Sequence, residues 1–575
     1  MTEQRNLILA IVLSVAIMLG FQYLFPHKQA EQQPQPPAAG DQAAQPQPQP
    51  VQTAPGVPAA GTTAQAAQAL TRDEALAQSR RIAIRTPSLH GSVALTGARI
   101  DDLVLAGYRE EPDPKSPEID LLSPTGAPNP YYAEFGWVPV DPGTKVPGPE
   151  AVWTPAKAGA ELTPDSPVVL TWDNGDGLRF VRTFSVDKEY MFAVTQRVEN
   201  YGTKPVVLHP FALVARTGTP KTAGMYILHE GPLGVFDGTL KEIKYDDLKK
   251  EGSQRFKTEG GWAGITDKYW LTALVPPAKT EVTGRWVHLR TDTNDRYQVD
   301  YLAPPVTVEP GKGQDADFHL FAGVKKVALL DAYGEKLGID KFAYAIDFGW
   351  FWFLTKPFFY LLQMLHAAVG NMGLAILGMT VLIKLAMFPL ANKSYVAMSK
   401  MKKLQPEIAK LQERFGDDKM RQQQEMMALY KREKVNPVSG CLPMLVQIPV
   451  FFALYKVLFV TIEMRHAPFY GWIHDLSAQD PSNIFTLFGL IAWTPPHFMH
   501  LGVWPLVMGV TMWLQQKLNP APADPVQAKM FQFLPIIFTF LLANFASGLV
   551  IYWAWSNTLS ILQQWVIMKK AGAKP

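Results

Sequence analysis

Lys384 is the residue with the largest chemical consequence in this sequence, because it is the only charge within residues 372–390. An unpaired charge at mid-bilayer costs about 2.5–3.5 kcal/mol even by mild estimates. Two readings fit a lysine kept there. Its stem could lie along a helix while the ammonium snorkels to lipid headgroups, or the cation could face a water-filled cavity. It stands six residues before position 390, about 9 Å along a helix, a depth that either reading allows. Thr380, one turn earlier, shares its helical face. Gln447 lies in a second apolar stretch. In another, Tyr552, Ser556, Ser560 and Gln563 recur at helical spacing, with Asn557 and Gln564 beside them. Polar groups in hydrocarbon need internal partners or water. Each alone could simply glue two helices; together with Lys384 they point to a shared hydrophilic pocket.

No pattern for covalent or metal chemistry accompanies them. Ser439-Gly440 and Ser547-Gly548 lack the glycine two residues before the serine that a nucleophile elbow requires. A His-Glu-x-x-His helix, a phosphate-binding glycine loop and paired carboxylates in apolar sequence are all missing. His497 and His500 are spaced like ligands but have no third ligand nearby, and the single cysteine, Cys441, excludes an internal disulfide framework. Neither an enzyme, a cofactor nor a metal is expected. With 54 basic and 51 acidic residues the net charge is only +3, so no bulk field favours DNA.

The elements that would position these residues follow from composition. Residues 7–25 are almost uninterrupted apolar sequence, long enough to cross a ~30 Å hydrocarbon layer. A cleaved signal peptide is the rival reading, yet Phe25-Pro26-His27-Lys28 stands where a small-residue cleavage site belongs, which favours an anchor over residues 1–28. Residues 29–75 are rich in Gln, Pro and Ala; they cannot bury enough surface to offset ordering entropy and read as a disordered linker. Over residues 76–340 the pattern becomes period-two. Residues 81–85, 178–184 and 192–198 alternate, and Asn174-Gly175-Asp176-Gly177 and Glu199-Asn200-Tyr201-Gly202 supply turns. That predicts an antiparallel β-sandwich. Residues 341–370 are crowded with aromatics and interrupted by Lys356-Pro357. A spanning helix and an amphipathic helix lying in the interface compete there, and the aromatics and the central Lys-Pro favour the second.

The remainder, residues 371–575, reads as a bundle with spans at 372–390, 442–460, 501–518, 531–544 and 549–568. Residues 483–493 are apolar but too short to cross, so they lie at the surface or re-enter. Residues 531–544 are short for a span, which calls for thinned lipid or help from neighbours. Residues 545–548 make a tight hairpin into the last span. Basic residues set the orientation. Lys402, Lys403, Lys410, Arg414, Lys431 and Arg432 crowd residues 393–435, whereas residues 462–500 carry only Arg465 as a full positive charge. By the positive-inside rule the first of these segments is cytoplasmic. With the anchor this gives six spans, both termini cytoplasmic and the β-domain outside. Residues 393–435 form a helical hairpin: Met401, Leu404, Ile408, Leu411 and Phe415 mark one apolar face, Phe415-Gly416-Asp417-Asp418 the turn, and Met420, Met427 and Tyr430 the returning face. Its basic surface suits anionic lipid or ribosomal RNA.

Several segments carry a specific resemblance. They are Gly416-Asp417-Asp418, residues 424–431, Lys434-Val435-Asn436-Pro437, Gly440-Cys441-Leu442-Pro443, Gln447-Ile448-Pro449, residues 472–477, and residues 547–552. Over about residues 345–570 the sequence resembles the YidC family of membrane-protein insertases, and its anchor, linker and β-domain have the arrangement of the Gram-negative branch. The resemblance implies a multi-domain inner-membrane protein: an N-terminal anchor, a periplasmic β-supersandwich, an interfacial helix, and a five-helix core around a groove open to cytoplasm and lipid. It implies nascent membrane proteins as clients, without nucleotide hydrolysis. Its partners would be the Sec translocon with its accessory subunits and the ribosome and signal-recognition-particle pathway. Familiar members carry arginine where Lys384 stands, so the charge is kept and the planar fork lost. The family's substrate-contacting positions fall on Thr380, Ile448, Phe451, Leu541, Tyr552 and Trp553. Residues 487–500 lengthen the outer loop relative to such members. A transporter, an intramembrane protease, or a sugar-processing β-domain using His209, His229 and Glu230 are the rivals.

Overall fold

The computed structural model describes residues 57–58, 70–222, 228–290, 294–415, 418–433, 435, 442–491, 493, 495–496, 500–519 and 525–570. The expected anchor, most of the linker, Gly416, Asp417, Lys434, residues 436–441 and His497 lie outside them.

Alternation builds the β-domain. Leu178–Val186 and Met191–Asn200 place every second side chain in the core and pair antiparallel from Leu178↔Asn200 to Val186↔Phe192. The turn before them is held by the Asn174 side-chain oxygen, which accepts from the backbone of Asp176 at 2.8 Å and Leu178 at 2.9 Å. Nine strands form this sheet, in the order Thr239–Glu242, Gly231–Phe236, Trp262–Thr266, Trp270–Val275, Gly313–Val324, Met191–Asn200, Leu178–Val186, Val168–Asp173, Thr154–Pro155. The facing ten-stranded sheet runs Arg81–Arg85, Leu89–Ala94, Ile100–Arg109, Tyr131–Pro139, Val206–Thr217, Asp295–Leu302, Glu281–Arg290, Ser253–Glu259, with Glu118–Leu122 and Val306–Val308 attached beside it. Strand pairs are antiparallel, as period-two alternation with tight turns requires. Phe135, Phe180, Phe184, Phe192, Phe318 and Phe321 fill the space between the sheets.

The linker reading needs correction at its end. Arg72–Ala77 is a helix, α1, closed by a capping box between Thr71 and Glu74. The Thr-x-x-Glu pattern announces it. Upstream, Val57 is buried against Tyr132, Phe211 and Leu213, and its carbonyl accepts from Arg285 at 2.9 Å. With the Pro58 carbonyl accepting from Gln298 at 3.3 Å, one apolar side chain and two paired carbonyls seat residues 57–58 within sequence whose average composition reads as disordered.

Two helices complete the β-domain, α2 (Tyr245–Glu251) and α3 (Val327–Leu337), followed by a short 3-10 turn at Phe342–Ala345. Next comes α4 (Trp352–Val369), which buries Thr355, Phe359 and Leu362 at helical spacing and exposes Trp352, Phe353, Tyr360 and Met364. That one-sided burial is the pattern of an amphipathic helix. Lys356 reaches Asp331 on α3 at 2.8 Å.

The helical region then runs α5 (Met372–Ala386), α6 (Phe388–Arg414), α7 (Lys419–Arg432), α8 (Leu442–Val460), α9 (Val503–Leu518), α10 (Pro525–Leu542) and α11 (Ser547–Lys570). The expected span 372–390 is not one helix. It ends at Ala386, and the chain turns by 67° into α6. Pro389, in the first turn of α6, explains the break: it has no N–H to continue the ladder and its ring would crowd the preceding turn, whereas a first turn tolerates it. The expected short span at 531–544 belongs to a longer helix starting at Pro525. Among the described residues no single helix is long and apolar enough to cross a membrane; α5 and α6 meet that test only as a bent pair.

The hairpin forms from α6 and α7, with Asp418 capping α7 by accepting from the Arg421 backbone at 3.0 Å. Leu404 and Leu429 are buried in it. The returning face differs from expectation: Met420 and Met427 point outward, 71% and 49% exposed. They lie on the same stripe as Lys431, away from Leu429, so the α6 contact selects a different face of α7.

Candidate functional site

Lys384 occupies the last turn of α5, two residues from the bend rather than deep within a continuous span. A cation there meets the negative end of the helix dipole. Its Nζ donates to Ser560 Oγ on α11 at 2.8 Å, and Ser560 in turn donates to the Ser556 carbonyl at 2.9 Å. Among the described residues no carboxylate acts on this ammonium. Lys384 is half-buried; Ser556 and Ser560 are buried.

The remaining expected site residues divide into three groups. Thr380 is buried one turn earlier, but its hydroxyl donates to the Ile376 carbonyl at 2.7 Å, so it closes on its own helix. Tyr552 is buried, and Ser556 follows it one turn later on α11. Asn557 and Gln564 look the other way, to α9 and its end: Asn557 donates to Thr511 Oγ1 at 3.3 Å, and Gln564 to Asn519 Oδ1 at 3.1 Å. They join helices. Gln563 and Gln447 are half-buried. The third group is apolar. Phe451 on α8 lies 4.8 Å, centroid to centroid, from Trp553 on α11, and Trp553 lies 6.1 Å from Phe538 on α10. Ile448 and Leu541 carry 44% and 58% exposure at the outside of the same helices. The helix faces therefore hold one polar point, at Lys384 and Ser560, and a separate aromatic and aliphatic surface.

Two residues went unread in the sequence. Trp555 donates from Nε1 to the Leu377 carbonyl at 3.2 Å, joining α11 to α5 about two turns before Lys384. Lys456, on the apolar helix α8, is buried and meets Asp347 Oδ2 at 2.6 Å. Asp347 sits just before α4 in an acid-poor stretch, which was the available signal.

On the hairpin, Lys403, Lys410, Arg414, Lys431 and Arg432 are exposed and Lys402 is half-buried. Arg432 is shared between Glu407 at 3.1 Å and Glu433 at 3.0 Å, and Arg414 stacks over Phe415 at 5.5 Å. In the β-domain, His209 engages the Ala303 carbonyl at 2.9 Å, His229 the Pro232 carbonyl at 3.0 Å, and Glu230 accepts from the Lys268 backbone at 3.1 Å. Each is tied to a different stretch of backbone.

Residues 81–361 match the family model described as the YidC periplasmic domain, and residues 364–574 match that of the 60Kd inner membrane protein. The membrane protein insertase YidC of Methylobacterium sp. is 51% identical over 602 residues, covering 100% of this chain and 96% of that one. The chain belongs to the YidC family of membrane protein insertases. The YidC protein of Granulibacter bethesdensis is 52% identical over 580 residues, covering 99% and 98%. A solved structure described as an active YidC insertase with the first transmembrane domain resolved is 17% identical and covers 84% of this chain and 91% of that one, at a TM-score of 0.35. YidC proteins are insertases rather than enzymes, and the family places this chain in the inner membrane with a periplasmic domain.

Two of the segments that carried the YidC resemblance, residues 472–477 and 547–552, interlock in space. Asp475 Oδ1 accepts from the His466 backbone at 3.0 Å and from the Ser477 backbone and hydroxyl at 2.7 Å. That loop holds the start of α11: Ser547 Oγ donates to the Asp475 carbonyl at 3.0 Å, and the Gly548 N–H to the Leu476 carbonyl at 2.9 Å. Gly548 fits closely there: a Cβ would lie 2.5 Å from Met464 Cε and 3.0 Å from the Leu476 carbonyl oxygen. The motif at 472–477 and the motif at 547–552 are two halves of one clamp at the start of α11, the helix that carries Ser560.

Proposed function

We propose that this YidC chain inserts newly made inner-membrane proteins by presenting Lys384 as a fixed cation to acidic residues of a client's translocated segment, while the client's apolar span leaves along the surface formed by Phe451, Ile448, Leu541 and Trp553. The observation that carries this reading is the partnering of Lys384. Its ammonium is met by a neutral hydroxyl, whereas Lys456, in a comparable apolar helix, is neutralised by Asp347. A cation spared an internal counter-ion remains available to a passing carboxylate. Moving a polar segment through hydrocarbon costs several kcal/mol per unsatisfied group. A solvated groove around Lys384 and α11 shortens that barrier, and hydrophobic transfer of the apolar span into lipid drives the remainder. No nucleotide is consumed.

In this reading α5, α8, α9, α10 and α11 are the five core spans, joined to an N-terminal anchor. Both termini and the α6–α7 hairpin are cytoplasmic, and α4 lies in the outer interface beneath the β-domain. The shortness of the helices suits locally thinned lipid. The exposed hairpin cations suit anionic lipid, the ribosome and the signal-recognition-particle pathway, and the Sec translocon acts beside it for some clients. The test is reconstituted insertion of a client with an acidic translocated tail. Lys384→Leu should lose most insertion and Lys384→Arg should retain it, and neutralising the client's acids should erase the difference. Equal insertion of the acidic client by wild type and Lys384→Leu would refute the role of charge.

A further inference from the structure

Residues 484–493, Ile484-Phe485-Thr486-Leu487-Phe488-Gly489-Leu490-Ile491-Ala492-Trp493, contain no charged residue and three aromatics. The turn they open is built, not slack. Asn483 is buried, its side chain accepts from the Phe485 backbone at 3.0 Å, and its carbonyl accepts from the Phe488 backbone at 3.0 Å. The Ile491 backbone bonds the Thr486 carbonyl at 3.0 Å, and Ile484 bonds the Leu501 carbonyl at 3.0 Å. Leu487 and Phe488 both adopt left-handed backbone, φ 46° and 60°, a conformation unfavourable for large side chains. Together these constraints turn the apolar side chains outward: Leu487, Phe488, Ile491 and Trp493 are about half exposed, and Leu490 is 87% exposed.

In water such a surface would be an uncompensated apolar patch. We propose that residues 484–491 with Trp493 form an apolar finger seated in the outer leaflet of the bilayer. The occupant is argued from continuity. The finger is rooted at the start of α9, where Asp480 accepts from the Trp504 backbone and from Trp472 Nε1, both at 2.9 Å. From there α9 exposes Val507, Val510, Trp513 and Leu514. The finger therefore lies at the end of a helix stripe that is itself apolar and outward. Aromatic side chains with aliphatic neighbours and no charge are the composition of an interfacial anchor. A protein-binding patch would carry a polar rim to orient its partner. The assignment rests on the topology proposed above, which places residues 462–500 outside.

The full chain with Cys441→Ser and Leu490→Cys, carrying an environment-sensitive fluorophore, tests this in proteoliposomes. Tyr201→Cys serves as the aqueous reference, since Tyr201 is exposed on the β-domain. Nitroxide lipids labelled near the headgroup should quench the fluorophore at position 490 several-fold more than at 201, and aqueous iodide should quench it several-fold less. Iodide access matching position 201 overturns the proposal, as does protection from both quenchers, which would mean that protein covers the finger. Reducing only the nitroxides of the outward-facing leaflet, in vesicles whose Tyr201→Cys site is outside, should relieve the lipid quenching. Persistence would place the finger in the other leaflet, overturning the topology and the outer-leaflet assignment with it while leaving lipid contact standing.

Discussion

The β-domain and the helical region solve opposite problems with the same side chains. Among the described residues, the β-domain exposes three large hydrophobic side chains, Val140, Val152 and Tyr201, whereas the sequence from Trp350 onward exposes thirty-four. The first is a surface adapted to water; the second is adapted to a solvent that is itself apolar. Cations show the same contrast. Arg182 is fully enclosed between the sheets, yet it donates to the carbonyls of Gly97, Ala98 and Phe135, reaches Gln196, and stacks 4.5 Å over Trp153. Arg99 likewise pairs with Glu134 at 2.7 Å. Lys384 has one neutral partner. Buried Lys325 of the β-domain also donates to a hydroxyl, that of Thr266 at 2.8 Å, but Asp267, Glu230, Asp347 and Glu242 act on its charge. Among the described residues no carboxylate does so for Lys384, which leaves a place for a visiting one.

The largest test exchanges these two cations for alanine. Arg182→Ala should destabilise the β-domain by about 3 kcal/mol or more, through the void and the unpaired carbonyls it leaves, read as earlier denaturant unfolding of the full chain. Lys384→Ala should leave unfolding almost unchanged while insertion of an acidic client falls. Equal loss of stability in both would remove the distinction between a structural and a working charge.

A second test concerns the two surfaces. Ile537 on α10 is 57% exposed and Val152 on the β-domain 65%. Ile537→Asp should impair membrane integration by about 2.5–3.5 kcal/mol, the cost of an aspartate at mid-bilayer. Val152→Asp should change nothing measurable, since that position already faces water. Comparable yields of membrane-extracted protein for both variants would show that the exposed residues of α10 do not face lipid.

How much of this was readable in the sequence depended on whether the determinant was local. Strand alternation at 178–184 and 192–198 named both the elements and their buried faces, because the period is set within each strand. The capping box at Thr71 and Glu74 was equally local and went unread under the average composition around it. The end of α5 was misplaced because Phe388 and Leu390 continue the hydropathy although Pro389 breaks the helix. At the site, helical spacing found Ser556 and Ser560 but assigned Asn557 and Gln564 to the same pocket. Which of two adjacent residues meets Lys384 depends on the rotation of α11, and the contacts made along that helix are long-range, such as the bond between Ser547 and Asp475, about seventy residues apart in the chain. The pairing of Lys456 with Asp347 is likewise long-range.

That clamp gives a smaller, sharper test. Gly548→Ala should cost about 1–3 kcal/mol by overpacking: the Met464 methyl can move, but the Leu476 carbonyl opposite the new Cβ is backbone. If the clamp sets the rotation of α11, the same variant should also lower insertion, by displacing Ser560 from Lys384. Loss of stability with normal insertion would separate the clamp from the site.

The smallest effect belongs to the water-facing half. Burial lowers the His229 pKa to about 4, and the bond to the Pro232 carbonyl only partly opposes this. The imidazole is therefore neutral in the fold at pH values where the unfolded chain, with an ordinary histidine pKa near 6.5, already binds a proton. Between those values the unfolded state holds more protons, so stability must fall as pH drops from about 6.5 towards 4. His229→Gln keeps a polar side chain but does not titrate, and should flatten the pH dependence of β-domain unfolding across that window while leaving it unchanged above pH 7. Insertion at neutral pH should be untouched, because His229 makes no contact with α5 or α11 in the described structure. An unaltered pH profile would show that the imidazole takes up its proton as readily in the fold as in the unfolded chain, and that burial does not hold it neutral.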